Sequence, residues 1–225
     1  MSAVDLAAVY RRAHHRLVTL AADLAPDELT TPVPACPAWT VRDVYAHVAG
    51  VAADRSAGND HGAPGEAWTA RQVAARRDLP LPAILQEWEE TGPRIEALLA
   101  RKGRRRAALA VDLWTHEQDV RNALGRPGHR RGEGLRCALG AAWLAAPRID
   151  AAELPALRIL TAEVDWRLGD DPRTVTLRAD GYELARALLG RRSRDQMRAF
   201  SWSGPAEPYL DLLTVFPPRP DPLVE

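Results

Sequence analysis

The chain has 225 residues, 46% of them hydrophobic and 27% charged, and its thirty basic residues balance thirty acidic ones to a net charge of zero. That is the composition of a folded globular protein, and its neutrality argues against a chain built to hold nucleic acid. No apolar run reaches membrane-span length, Met1–Asp5 lacks the basic and apolar stretches of a signal peptide, and Cys36 and Cys137 are too few for a disulfide framework, so a cytoplasmic protein without a membrane partner is expected.

The first two-thirds of the chain carries helical periodicity. Leu6, Val9, Tyr10, Ala13, Leu17, Leu20 and Leu24 share one face of a first helix, which Pro26 and the Pro32–Pro37 stretch bring to an end. Thr40 has the chemistry of an N-cap, with Asp43 in the following turn. Val41, Val44, Tyr45, Val48 and Val51 then carry a second helix to about Ala57. Residues 58–82 form a long connection with a short helical piece around Trp68–Arg76, in the style of a lid or binding loop. A third long helix is expected over 83–100 and a fourth over 105–124, stopped by Gly125 and Pro127, and Glu133–Ala146 reads as one more. Four amphipathic helices imply an antiparallel bundle.

Beyond Pro147 the pattern changes. Short strands are expected near 157–161, 164–168 and 174–178, then a helix capped by Asp180, a strand over 197–203, a short helix over 205–213 and an extended or disordered tail from Pro217. The fold class is therefore α+β: a four-helix bundle over residues 1–148 and a small α/β C-terminal domain over 149–225.

Two histidines fall among inward-facing positions of predicted helices: His47 on the second and His116 on the fourth. Asp112 precedes His116 by four residues and so shares its face. Two imidazoles and one carboxylate on facing helices make a three-donor set suited to Zn²⁺ or another divalent ion, with a coordination position left open, as in catalytic sites. The same spacing also arises as a solvated ion pair. His116-Glu117 fails as a metalloprotease motif, because Val120 stands where the second histidine belongs. Asp119 reads as a support for His116 or as a solvated helix residue. Trp114, between Asp112 and His116, is the candidate to line a pocket or touch a cofactor. Trp39, Trp88 and Trp143 are spaced like core, and Cys36 reads as a packed thiol. His14 and His15 face different directions, His61 and His129 fall in loops, and Arg101, Lys102, Arg104, Arg105 and Arg106 form a basic cluster that is either a solvated face or an attractor of anions.

Pro34-Ala35-Cys36-Pro37-Ala38-Trp39-Thr40-Val41-Arg42-Asp43-Val44-Tyr45-Ala46-His47-Val48-Ala49-Gly50 resembles the signature segment of the mycothiol-dependent maleylpyruvate isomerase family, part of the wider DinB-like metal-binding helical bundles. Asp112 through Pro127 resembles its second motif, and Gly181 through Arg192 a helix of its small C-terminal domain. The resemblance implies a divalent metal, usually zinc, held by His47, Asp112 and His116, which act in catalysis through it. It also implies mycothiol or a similar low-molecular-weight thiol, whose sulfur binds the metal and attacks the substrate. The acidic position is more typically Glu in the family. With the shorter Asp112, the metal must sit nearer the backbone or reach it through a water.

The expected function is that of a metal-dependent, mycothiol-type S-transferase or isomerase acting on an electrophilic small molecule, as a monomer or homodimer. The alternative is a non-catalytic regulatory protein that binds a metal or small molecule on the same bundle.

Overall fold

The computed structural model describes residues 4–101 and 107–225. It divides into two compact units, Met1–His129 and Arg130–Glu225. The division falls earlier than the 148/149 boundary read from the sequence, because the helical stretch after Arg130 packs against elements of the second unit.

The first unit holds five helices among the described residues: α1 (Leu6–Ala22), α2 (Val41–Ala57), α3 (Glu66–Ala75), α4 (Leu81–Ala100) and α5 (Ala107–Ala123). α1 and α2 each pack against both α4 and α5, which makes the expected four-helix bundle, and α3 packs on α2. The bundle is filled by Leu17, Ile84, Trp88, Ile95, Leu113 and Tyr45, all essentially inaccessible. Burying side chains of this size contributes about 1.5–3 kcal/mol each. Thr40 and Asp43 form a capping box at the start of α2, so two of the helix's orphan N–H groups are satisfied by side chains. The basic cluster at 102–106 and the start of the fourth long helix at Arg105 lie outside the described residues.

The second unit contains α6 (Glu133–Leu139), α7 (Ala146–Ala151), β1 (Ala156–Leu160), β2 (Asp165–Leu168), β3 (Thr174–Arg178), α8 (Gly181–Leu188), α9 (Arg194–Arg198), β4 (Ser201–Trp202) and α10 (Glu207–Leu213). Its sheet is mixed, in the order β2-β1-β3-β4. β1 pairs parallel with β3, placing Ile159 opposite Leu177, and the β1–β2 and β3–β4 pairs are antiparallel. Leu157, Ile159, Leu168 and Leu177 are fully buried, with Leu135, Leu139, Leu184 and Leu188 of the helices.

Three expectations are corrected here. The single helix over 133–146 is broken into α6, a 3-10 stretch over Gly140–Leu144, and α7. The strand over 197–203 shrinks to Ser201–Trp202, because Ser193 and Gln196 form a capping box that starts α9 and draws Met197 into a helix. The tail is not loose. Leu223 is bound through both its backbone N–H and carbonyl by the Gln196 amide, and the buried Glu225 carboxylate pairs with Arg186 and Arg192.

Candidate metal centre

α2 and α5 contact each other and bring three donors together. His47 Nε2 lies 3.8 Å from Asp112 Oδ2, and His116 Nε2 lies 3.6 Å from Asp112 Oδ1. The two imidazoles meet edge to face, with ring centres 4.9 Å apart. In a tetrahedral zinc site with bonds of about 2.0–2.1 Å, donors sit about 3.4 Å apart. The three side chains therefore fit a cation after small adjustments. The Asp112 carboxylate lies within 4 Å of both histidines, one oxygen toward each. Both histidines are buried, whereas Asp112 is 36% exposed.

Each histidine has a polar side chain beside its other nitrogen. His116 Nδ1 lies 3.0 Å from Asp119 Oδ2, and the Cys36 thiol donates to the same oxygen at 3.5 Å. Burial alone pulls the His116 pKa down. Asp112, Asp119 and Cys36 outweigh it and raise the value to about 10, so the metal-free ring carries a proton at neutral pH. A cation bound at Nε2 would replace that proton. The His47 Nδ1 faces Gln72 Oε1 at 2.9 Å.

Trp39 covers both rings, with centroids 4.9 Å from His47 and 5.8 Å from His116. The Pro-rich turn that carries it is closed by backbone bonds from Val33 N to Trp39 O and from Trp39 N to Cys36 O, which set Cys36 and Trp39 beside α5. Trp114 stands elsewhere. Two residues past Asp112, it lies on the far side of α5. It is fully buried, and its indole N–H donates to the His129 carbonyl. Trp39, read from the sequence as core, is the aromatic residue at the histidines. His14 packs against Trp88, while His15, His61 and His129 are exposed. Asp119 is buried beside His116, so it is not the solvated helix residue of its second reading.

Sequence reasoning missed Gln72 and Trp39. Gln72 lies on the short helix expected around Trp68–Arg76, which forms as α3 and packs against α2. Gly50, three residues after His47, leaves room for it, since a side chain there would collide with Gln72.

Residues 10–126 match the family model described as the mycothiol maleylpyruvate isomerase N-terminal domain. The chain belongs to this family. Two crystal structures share the fold of this family member: one of the mycothiol-dependent maleylpyruvate isomerase (TM-score 0.51) and one of a His-to-Ala mutant of that enzyme (TM-score 0.52). Each is 14% identical to this chain, and the alignments cover 89% of this chain and 94% of the other. Comparison with curated proteins finds no match. No helix among the described residues is long and apolar enough to cross a membrane.

Proposed function

We propose that this family member is a cytoplasmic, divalent-metal-dependent enzyme that uses mycothiol or a similar low-molecular-weight thiol to transform an electrophilic small molecule by isomerisation or S-transfer. Family membership supports the thiol, and the two free cysteines are compatible with a reducing compartment. The observation that carries the reading is the convergence of His47 from α2 with Asp112 and His116 from α5 on one point.

When bound, a zinc ion would supply the positive charge that keeps a thiol ionised near neutral pH. The chain's own residues do the rest. His47 and His116 offer neutral nitrogen donors and Asp112 one negative charge, so the set leaves net positive charge for an anionic sulfur. Asp119, hydrogen-bonded by Cys36, stands 3.0 Å from His116 Nδ1, where it would take the Nδ1 proton and leave Nε2 for the cation. Trp39 shields the imidazoles from water and leaves Asp112 as the accessible member. Maleylpyruvate is one candidate substrate, by analogy with the fold relatives.

The test is metal analysis of the purified protein, followed by thiol consumption with a model electrophile before and after chelation. Metal-dependent conjugation is expected, and His116→Ala should abolish it together with zinc binding. Unchanged zinc affinity in that variant would defeat the ligand assignment. Bound metal without turnover would favour the regulatory alternative.

A further inference from the structure

α2 presents His47, Gly50 and Asp54 as one stripe, at i, i+3 and i+7. The Gln72 side chain of α3 lies across that stripe and is 2% exposed. Its Nε2 donates to Asp54 Oδ2 at 2.8 Å, and its Oε1 meets His47 Nδ1 at 2.9 Å. The polarity of this chain follows from one fact: a carboxylate only accepts. Asp54 therefore takes the amide N–H, the amide oxygen must face His47, and His47 must carry its proton on Nδ1. That leaves the Nε2 lone pair directed at Asp112.

We propose that Gln72, oriented by Asp54, is the positioning residue that fixes the metal-binding tautomer of His47. The inference rests on the metal reading above and extends it to residues outside the donor set.

Two further features fit a fixed strut. A Cβ at Gly50 would stand 2.6 Å from the Gln72 Cβ, so the close approach of α2 and α3 requires glycine there. The end of α3 is also tied down: Arg76 donates through Nε and Nη2 to Glu87 of α4, both at 2.6 Å, and through Nη1 to the Gln72 carbonyl. Asp54 also explains why an amide stands at 72. A glutamate there would set two carboxylates at hydrogen-bond distance, and one would have to take up a proton.

The experiment measures Zn²⁺ affinity by competition with a chromophoric chelator, alongside ¹⁵N NMR of the metal-free His47 ring at a pH where it is neutral. Gln72→Leu keeps the bulk and removes the acceptor. Zinc affinity should fall about 10–100-fold, the range expected for partners of ligand histidines, with helical circular dichroism retained. Asp54→Asn frees the amide to flip and should weaken zinc binding by a smaller factor. The double variant D54N/Q72E restores the polarity, since the amide introduced at position 54 can donate to a carboxylate at 72 that accepts from His47. Its affinity should return to within about threefold of the parent, a recovery that a purely structural role for Gln72 would not give. In the parent protein the His47 proton should reside on Nδ1.

A Gln72→Leu protein that binds zinc as tightly as the parent, a double variant no tighter than Gln72→Leu, or an Nε2-protonated His47 in the parent would each overturn the inference. If the parent chain binds no zinc at all, the metal reading itself fails, a result distinct from the other three.

Discussion

Each histidine of the candidate site is an amphoteric ring, and its usefulness to a metal depends on what stands at the opposite nitrogen. A carboxylate beside His116 Nδ1 raises the electron density at Nε2, whereas the neutral amide at His47 orients without adding charge. Asp119 is 1% exposed, and the Cys36 thiol takes up one of its lone pairs. Asp119→Asn should therefore lower zinc affinity by about 10–100-fold while leaving the fold intact, as read by chelator competition and circular dichroism. Equal affinity would show that His116 needs no partner. The placement of Asp112 and His116 side by side was legible in the sequence because helical period fixes which residues share a face, and that of Asp119 nearly so. The groups that reach the site from other elements were not, because no local pattern relates residue 72 to residue 47, or residue 39 to residue 116. Those pairings exist only once α3 and the Pro-rich turn have packed. Trp114 misled for the converse reason, since neighbours in sequence diverge around a helix.

Secondary structure was readable where a single period or cap dominated. α2 begins at the Thr40 cap and ends at Gly58, whose φ of 76° is the left-handed conformation of a helix terminus. It was misread where a short capping box outweighed β-forming residues, as at Ser193–Gln196. The α2–α3 pair depends on one missing methyl group. Gly50→Ala gains about 1 kcal/mol of helix propensity, but its Cβ would meet the Gln72 Cβ and, at 2.8 Å, an Arg76 nitrogen. Overpacking costs about 1–3 kcal/mol, so a net destabilisation of order 1 kcal/mol is expected in urea unfolding, together with weaker zinc binding as Gln72 is pushed from His47. Gly140→Ala is the control, because nothing stands within 4 Å of a Cβ there and its φ of −57° suits any residue. Stability that changes alike in both variants would remove the close approach from the argument.

For the molecule as a whole, zero net charge conceals charges taken out of water in each unit. Glu117 is fully buried between Arg16 and Arg121 in the first, and Glu225 is held by Arg186 and Arg192 in the second. Composition could report the balance but not the burial. The titration that couples the site to global stability is that of His116. Its folded pKa, about 10, exceeds the ordinary 6.5, so between those values the folded metal-free protein binds more protons than the unfolded chain. Stability from this group is then complete below pH 6.5 and is lost as pH rises toward 10. Cys137, raised by burial to about 11 from 9.0, adds a loss of the same sign only above about pH 9, so it stays out of the window from 6.5 to 9. Urea unfolding of the metal-free protein should show stability falling across that window, and His116→Gln should flatten the slope. Zinc competes with the same proton, so the stabilisation it gives should grow with pH over the same range, reaching about 2.7 kcal/mol where free metal is a hundredfold above Kd. A metal-free parent whose stability does not change between pH 6.5 and 9, or a zinc increment independent of pH there, would mean that His116 is not the group at which proton and metal exchange.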